Sequence, residues 1–253
     1  MNSREGLNLA VRILEDEEII TGDEANKYAD RRDNRALTTR LVALDILEKI
    51  PIKKVTGRVL EVCCGAGDLA NKLYRLTDNP NIRATDGSPG LIETAKVKYP
   101  HINFSVANVH NHLGRGKNDL VICKDAFHHF SDPQKSLGEL LDLVSPGGYL
   151  YIFDLNRDCS PNHFQRREQV IVDPNEKRRF IRSLNASLTA VEFAELLRKP
   201  EIYEIISSAF IHYPFSFSDE ALAKSQDLIA KDETSEYKLN TLSAVYVLQR
   251  RKR

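Results

Sequence analysis

Residues 59–70 read VLEVCCGAGDLA, and this stretch decides the fold. An apolar run at residues 59–62 meets a turn of small residues with Gly65 and Gly67, and a helical pattern begins at Asp68. Strand, glycine turn and helix in this order are typical of a nucleotide-binding turn. A dinucleotide fold would need a third glycine close by, and a phosphate loop would need Gly-Lys before Ser or Thr; the stretch has neither. A strand, turn and helix without a ligand is the plain alternative.

The composition is that of an ordinary globular chain. Its 253 residues are 42% hydrophobic and 28% charged, with 36 basic and 36 acidic residues. This neutral balance gives no field that would gather nucleic acid, so we predict no nucleic-acid partner. No apolar run approaches the roughly 20 residues of a membrane span, and the charged start lacks the apolar stretch of a secretory signal. Four cysteines without metal-ligand spacing predict a cytoplasmic protein with no disulfide framework and no metal site.

The residue pattern divides the chain into four segments. The first has helical spacing, with Val11 and Leu14 on one face, and is predicted to be an N-terminal helical cap. The second alternates short apolar runs with helical patterns, which predicts an α/β core of parallel strands with helices on both faces. The third is polar and basic, with loop signals such as Ser160-Pro161. The fourth adds a helix and two apolar runs that would pair antiparallel at the sheet edge. The segments are residues 1–56, 57–155, 156–188 and 189–253.

Polar side chains mark the strand ends, where ligands bind in open α/β sheets. Glu61 lies inside the apolar first strand, where an unpaired carboxylate is costly, so we expect it to accept hydrogen bonds from loop amides or a ligand. Asp86, just before Gly87, ends the second strand and is placed to accept both hydroxyls of a ribose, although Asp is also a common turn residue. After the third strand, Asn108 offers an acceptor to an adenine amino group, and Lys124 ends the fourth strand.

Five stretches of the chain follow one another in a specific order: VLEVCCGAG, ATDGSPGLIETAK, FSVANV, NDLVICKDAFHHFSDP and LVSPGGYLYIFDL. Together they resemble the class I S-adenosylmethionine-dependent methyltransferases, in the branch of quinone and natural-product enzymes. The resemblance implies a Rossmann-like, seven-stranded, mostly parallel sheet with its last strand antiparallel. It also implies S-adenosylmethionine as cofactor, a small organic molecule as methyl acceptor, and a substrate-covering insertion at residues 156–188. A homodimer is compatible with it.

The resemblance further implies which residues hold the cofactor. The aminoacyl end would lie against residues 61–67, the ribose at Asp86 and the adenine at Asn108 and Val109. Two positions depart from the family pattern, because Cys63 stands where the family has its first glycine and Asn108 where it often has Asp. An aromatic residue before the core would close over the cofactor, although it could equally be a core tyrosine. The implied binding residues are Tyr28, Glu61, Cys63, Gly65, Gly67, Asp86, Gly87, Asn108, Val109 and Lys124.

His128 and His129 follow the fourth strand, where the acceptor should lie in this fold. Histidine titrates near neutral pH and suits the removal of a proton from a hydroxyl. The chain is similar to sugar O-methyltransferases that carry a His-His pair and a later Asp, here Asp154, which implies O-methylation with an imidazole as base. Alternatively, one imidazole only packs or caps the next helix. The sequence leaves open which histidine acts.

Several other functions compete with this prediction. A C- or N-methyltransferase of a quinone-like or amine metabolite would use the same cofactor site. A nicotinamide dehydrogenase would have the same glycine turn, but it would need a third glycine that this stretch lacks. A non-catalytic regulatory subunit with this fold is disfavoured by the intact Glu61, Asp86 and histidine pair. An RNA methyltransferase is disfavoured by the neutral charge and by the lack of an N-P-P-Y-type string for a flipped base.

Overall fold

The computed structural model describes residues 11–15, 33–111, 117–225 and 242–252. Seven strands form one sheet, and each strand overlaps one of the apolar runs of the sequence. They are β1 (Val59–Val62), β2 (Ile82–Asp86), β3 (Asn103–Val106), β4 (Asn118–Lys124), β5 (Val144–Leu155), β6 (Ile206–His212) and β7 (Ser243–Arg250).

Strand order in the sheet is β3-β2-β1-β4-β5-β7-β6. The strands β1 to β5 pair in parallel, and β7 runs antiparallel to both of its neighbours, β5 and β6. Strand order reverses next to β1, so the carboxyl ends of β1 and β4 border the crevice in which such sheets bind ligands. This confirms the predicted seven-stranded α/β sheet with an antiparallel last strand.

Helices connect the strands and cover both faces of the sheet. They are α1 (Asp33–Lys49), α2 (Ile52–Val55), α3 (Asp68–Thr77), α4 (Pro89–Lys98), α5 (Pro133–Leu143), α6 (Pro161–Val170), α7 (Pro174–Ala186), α8 (Ala190–Leu197), α9 (Pro200–Tyr203) and α10 (Asp219–Ala223). Every helix within the described ranges is too short or too polar to cross a membrane.

Two apolar cores lie on opposite faces of the sheet, because successive strand residues point to opposite sides. Val59 and Leu120 pack with α1, α3 and α4 on one face. Leu60 and Val121 pack with α5 and α8 on the other. Both faces of β1 are therefore buried, which explains why its sequence is a continuous apolar run around Glu61 rather than an alternating one.

Residues 11–15 are not helical, so the predicted helix is wrong in this segment. Val11 and Leu14 are 62% and 57% exposed and share no buried face. The backbone is engaged elsewhere instead, since the Ile13 N–H donates to the carbonyl of Asn185 over 3.0 Å. Of the predicted N-terminal cap, the structure shows α1 and α2.

The predicted insertion at residues 156–188 contains two helices, α6 and α7. Each starts with a proline directly after a capping residue, Ser160 or Asp173, whose side chain accepts a backbone N–H of the first turn. A small apolar cluster holds the helices together, with the rings of Phe164 and Phe180 stacked at 6.1 Å. The C-terminal end of α7 lies next to residues 11–15.

Candidate active site

The turn after β1 has a backbone that few side chains tolerate. Cys63, Gly65 and Gly67 all have positive φ, at 52°, 54° and 80°. A Cβ on Gly67 would lie 2.4 Å from the ring of Phe104, so this position is closed to larger residues. At Cys63 the same conformation costs a non-glycine residue roughly 1 to 3 kcal/mol.

Glu61 is 3% exposed at the centre of β1. Its Oε2 has no hydrogen-bond partner among the described residues. Burial raises the pKa of Glu61 to about 8, against the opposing charge of Lys124 and a hydrogen bond from the main-chain amide of Ala70. A buried acceptor without a partner is costly, so this oxygen suits a cationic or N–H group of a bound ligand.

Asp86 joins the tip of β2 to the glycine turn. Its Oδ2 accepts the Gly65 N–H over 2.9 Å, and its Oδ1 accepts the Ser88 N–H over 2.8 Å. Each oxygen keeps a second lone pair for a ribose hydroxyl. A Cβ on Gly87 would meet nothing within 4 Å, so there is open space beside the carboxylate. The residues of this crevice therefore fit a nucleoside.

The remaining predicted cofactor residues differ in their exposure and in their hydrogen-bond partners. Asn108 is exposed, and its Oδ1 accepts the N–H of His110 over 2.9 Å, so this side chain first stabilises its own turn. Val109 is 6% exposed and packs in the core beside that turn. The amine of Lys124 pairs with the carboxylate of Asp125. Tyr28 falls outside the described residues, and its role stays a prediction.

His128 and Asp154 form a buried pair at the carboxyl ends of β4 and β5. The Nδ1 of His128 lies 2.6 Å from Oδ1 of Asp154, and the His128 backbone N–H donates to Oδ2 over 2.7 Å. Both contacts together fix the ring and the carboxylate in one orientation. The side chains are 4% and 5% exposed, so few water molecules compete for these bonds.

The 3₁₀ turn Phe127–His129, named the histidine turn, holds two histidines whose pKa values are shifted in opposite directions. Burial disfavours a charged ring at His128, but the carboxylate of Asp154 and other acidic groups outweigh it and raise the pKa of His128 above 6.5. Burial, and then the charge of His128, lowers the pKa of His129 to about 4. Their ring centroids lie 4.1 Å apart. Environments that separate two such pKa values are characteristic of acid–base sites.

Arg12 and Glu15 lie beside the histidine turn, and sequence reasoning missed both. The Nη2 of Arg12 donates to the carbonyl of His128 over 3.0 Å. The Oε2 of Glu15 lies 3.7 Å from Nδ1 of His129. No spacing or motif could have revealed these contacts, because they join positions more than one hundred residues apart.

Glu15, His128 and His129 bring possible metal-ligand atoms within 4.8 Å of one another. The Glu15 carboxylate is already engaged, since it accepts the hydroxyl of Ser183 over 2.9 Å and lies 3.7 Å from the guanidinium of Arg182. A dication would therefore meet a neighbouring positive charge. We interpret the group as a network of charges rather than as a cation site.

Comparison with known proteins decides the family. A model described as a methyltransferase domain matches residues 28–201, which span the glycine turn, Asp86 and the His128–Asp154 pair. The chain belongs to the methyltransferase domain family. Membership assigns S-adenosylmethionine as the cofactor, and it confirms the resemblance drawn from the five motifs.

Two of the curated relatives in the methyltransferase family are similar to part of this chain. A malonyl-[acyl-carrier protein] O-methyltransferase 1 of Ilyobacter polytropus is 30% identical over 60% of this chain and 57% of its own length. A ubiquinone biosynthesis O-methyltransferase of Shewanella pealeana is 28% identical over 40% of this chain and 44% of its own. The chain thus spans about half the length of these relatives.

A solved methyltransferase structure supports the fold over nearly the whole chain. The plantazolicin methyltransferase BamL, in complex with a triazolic desmethylPZN analog and SAH, superimposes with a TM-score of 0.69. It is 19% identical to this chain and covers 91% of both chains. This similarity therefore extends well beyond the five core motifs.

Proposed function

We propose that this methyltransferase-family chain transfers the methyl group of S-adenosylmethionine to an oxygen of a small organic acceptor, with His128 as the base. The observation that carries the proposal is the 2.6 Å contact between Nδ1 of His128 and Oδ1 of Asp154, both buried at the carboxyl ends of β4 and β5. Both curated relatives described above are named O-methyltransferases, which supports oxygen as the acceptor atom.

The His128–Asp154 pair has the arrangement of a general base. Because Asp154 accepts a hydrogen bond from Nδ1, the proton of the neutral ring stays on Nδ1 and Nε2 is left to take a proton. When bound, the cofactor supplies an activated methyl group. The acceptor hydroxyl would give its proton to Nε2 of His128 while its oxygen bonds to the methyl carbon, and the bond between that carbon and the cofactor sulfur would break to leave S-adenosylhomocysteine. Asp154 stabilises the resulting imidazolium, and such a base contributes about 10²- to 10⁴-fold in rate.

His129 is better suited to form a wall of the acceptor site than to act as base. With a pKa lowered to about 4, chiefly by burial, its ring stays neutral at pH 7 and binds a proton weakly. Its side chain is 27% exposed, whereas that of His128 is 4% exposed. An uncharged, partly exposed ring can contact an acceptor without adding charge near the methyl group.

A labelled-methyl assay tests the proposal. The protein is incubated with methyl-labelled S-adenosylmethionine and a panel of phenols, sugars, carboxylic acids and amines, and the products are identified by mass spectrometry. Methyl transfer to an oxygen, lost on changing His128→Ala, is the expected result. Transfer only to amines or carbon would refute the oxygen acceptor. Cofactor binding without transfer to any compound would favour the non-catalytic alternative.

A further inference from the structure

Residues 11–15 tie the histidine turn to the end of α7 through one guanidinium. The Nη2 of Arg12 donates to the carbonyls of His128 and Phe130 over 3.0 and 2.8 Å. Its Nε donates to the carbonyl of Ala186 over 2.5 Å. A three-residue turn leaves such carbonyls without helical partners, so a side-chain donor is needed to satisfy them. One cation therefore fixes the backbone at both ends of His129 and joins it to the insertion.

Glu15 places a negative charge between the same two elements. Its side chain is 5% exposed and accepts the Ser183 hydroxyl of α7 over 2.9 Å. The carboxylate also lies 3.7 Å from Nδ1 of His129 and from Nε of Arg182. A carboxylate is rarely buried unless it has a partner, and this one faces the imidazole pair.

We propose that Arg12 and Glu15 are positioning residues of the methyl transfer, Arg12 by holding the backbone of the histidine turn and Glu15 by setting the charge beside its rings. The inference deepens the proposed function and rests on it. A base must be held within a fraction of an ångström of its working position, since a displacement of about 1 Å can cost on the order of 10²-fold in rate. Arg12 supplies this constraint from outside the core, in a segment that no family motif marks.

The charges around His128 show what Glu15 adds. Asp154 faces the ring from β5, Asp125 from the end of β4 and His129 from the same turn, and Glu15 comes from residues 11–15. After Asp154, Glu15 is the next carboxylate that raises the pKa of His128, against the effect of burial. Replacing Glu15 by Gln keeps the shape and the hydrogen bond to Ser183 but removes the charge.

Histidine NMR tests the proposal without an acceptor. In the full chain labelled with [13C-ε1]-histidine, the pH titration of His128 is followed and assigned with His128→Gln. Glu15→Gln should lower its midpoint by about half a pH unit, because a nearby negative charge is lost. Arg12→Gln should change it as well, because the turn no longer holds the ring on Asp154 and a nearby positive charge is removed. Arg250→Gln is the matched control, since Arg250 also donates to three carbonyls, those of Leu141, Asp142 and Val144.

Kinetics with an oxygen acceptor found in the labelled-methyl assay complete the test. Arg12→Gln should lower kcat by about 10- to 100-fold with an unchanged KM for S-adenosylmethionine. Arg12→Lys, which keeps a donor, should recover part of that loss. A His128 midpoint that is unchanged in both variants would overturn the proposal. So would an Arg12→Gln variant that loses thermal stability but whose kcat falls no further than that of Arg250→Gln. If no oxygen acceptor exists, the NMR result still decides whether these residues position His128.

Discussion

At the scale of single residues, Glu61 is a buried carboxyl whose protonation should report on cofactor binding. Its pKa, raised by burial to about 8, leaves the carboxyl mostly protonated at pH 7 without ligand. A cofactor ammonium bound at Oε2 would favour the carboxylate, so binding releases a proton. We expect affinity for S-adenosylmethionine to rise between pH 6 and 8, by at most tenfold per pH unit. Calorimetry at several pH values measures this, and Glu61→Gln should flatten the dependence. An equal slope in both proteins would place the ammonium elsewhere.

His128 gives a second residue-scale prediction. A base works only when it is neutral, so the rate should rise with pH through the pKa of His128, which lies above 6.5. Asp154→Asn removes the charge that raises this pKa, and it should move the midpoint down and lower kcat. His129 stays neutral over this range, so His129→Ala should keep an inflection. A flat profile from pH 5 to 8 in the natural protein would exclude His128 as base.

Single residues also show what sequence can and cannot reveal about a site. Glu61, Gly67 and Asp86 could be proposed as site residues because each has a local signal: a charge in an apolar strand, a glycine in a turn, an acid at a strand tip. Arg12 and Glu15 carry no such signal. Their roles depend on main-chain carbonyls and side chains brought near by the fold, and carbonyls are identical in every residue type.

At the scale of elements, the apolar runs predicted the strands of the sheet well because burial on both faces leaves a strong pattern. The helix predicted across Val11 and Leu14 was wrong, since tertiary hydrogen bonds outweighed helical spacing in so short a segment. Ser160-Pro161 was interpreted as a loop signal, but α6 begins there. Serine followed by proline is as typical of a capped helix start as it is of a loop. Local chemistry did not distinguish the two.

Asn118 carries the element-scale prediction. It is fully buried at the start of β4, where its Nδ2 donates to the carbonyl of Leu143 and its Oδ1 accepts from Arg83, both over 2.8 Å. Asn118→Ala leaves buried polar groups unsatisfied and should destabilise the fold by about 2 kcal/mol. Because the residue lies at the amino ends of the strands, affinity for the cofactor should not change. Denaturant unfolding and calorimetry measure the two effects, and a loss of affinity would contradict this separation.

At the scale of the whole molecule, ligand binding should stabilise the folded chain by mass action. S-adenosylhomocysteine at one hundred times its Kd adds about 2.7 kcal/mol, which raises Tm by about 5 to 10 °C for a chain of this size. Asp86→Ala should abolish most of the shift, because it removes the acceptors of the ribose hydroxyls. Reduced nicotinamide dinucleotide is the control and should leave Tm unchanged. A shift with the dinucleotide alone would contradict the family's cofactor in this chain.

Cys63 has a consequence for chemical probes. Of the four cysteines it alone is partly exposed, while Cys64, Cys123 and Cys159 are buried. The family pattern of the resemblance has glycine at this position, and glycine has no side chain to react. Because the resemblance implies that the aminoacyl end of the cofactor lies against Cys63, we expect an adenosine derivative with a mild electrophile in place of the sulfonium to bond to this thiol. Such a reagent would inactivate this protein while sparing methyltransferases with glycine at the same position, and intact-mass spectrometry would reveal the adduct.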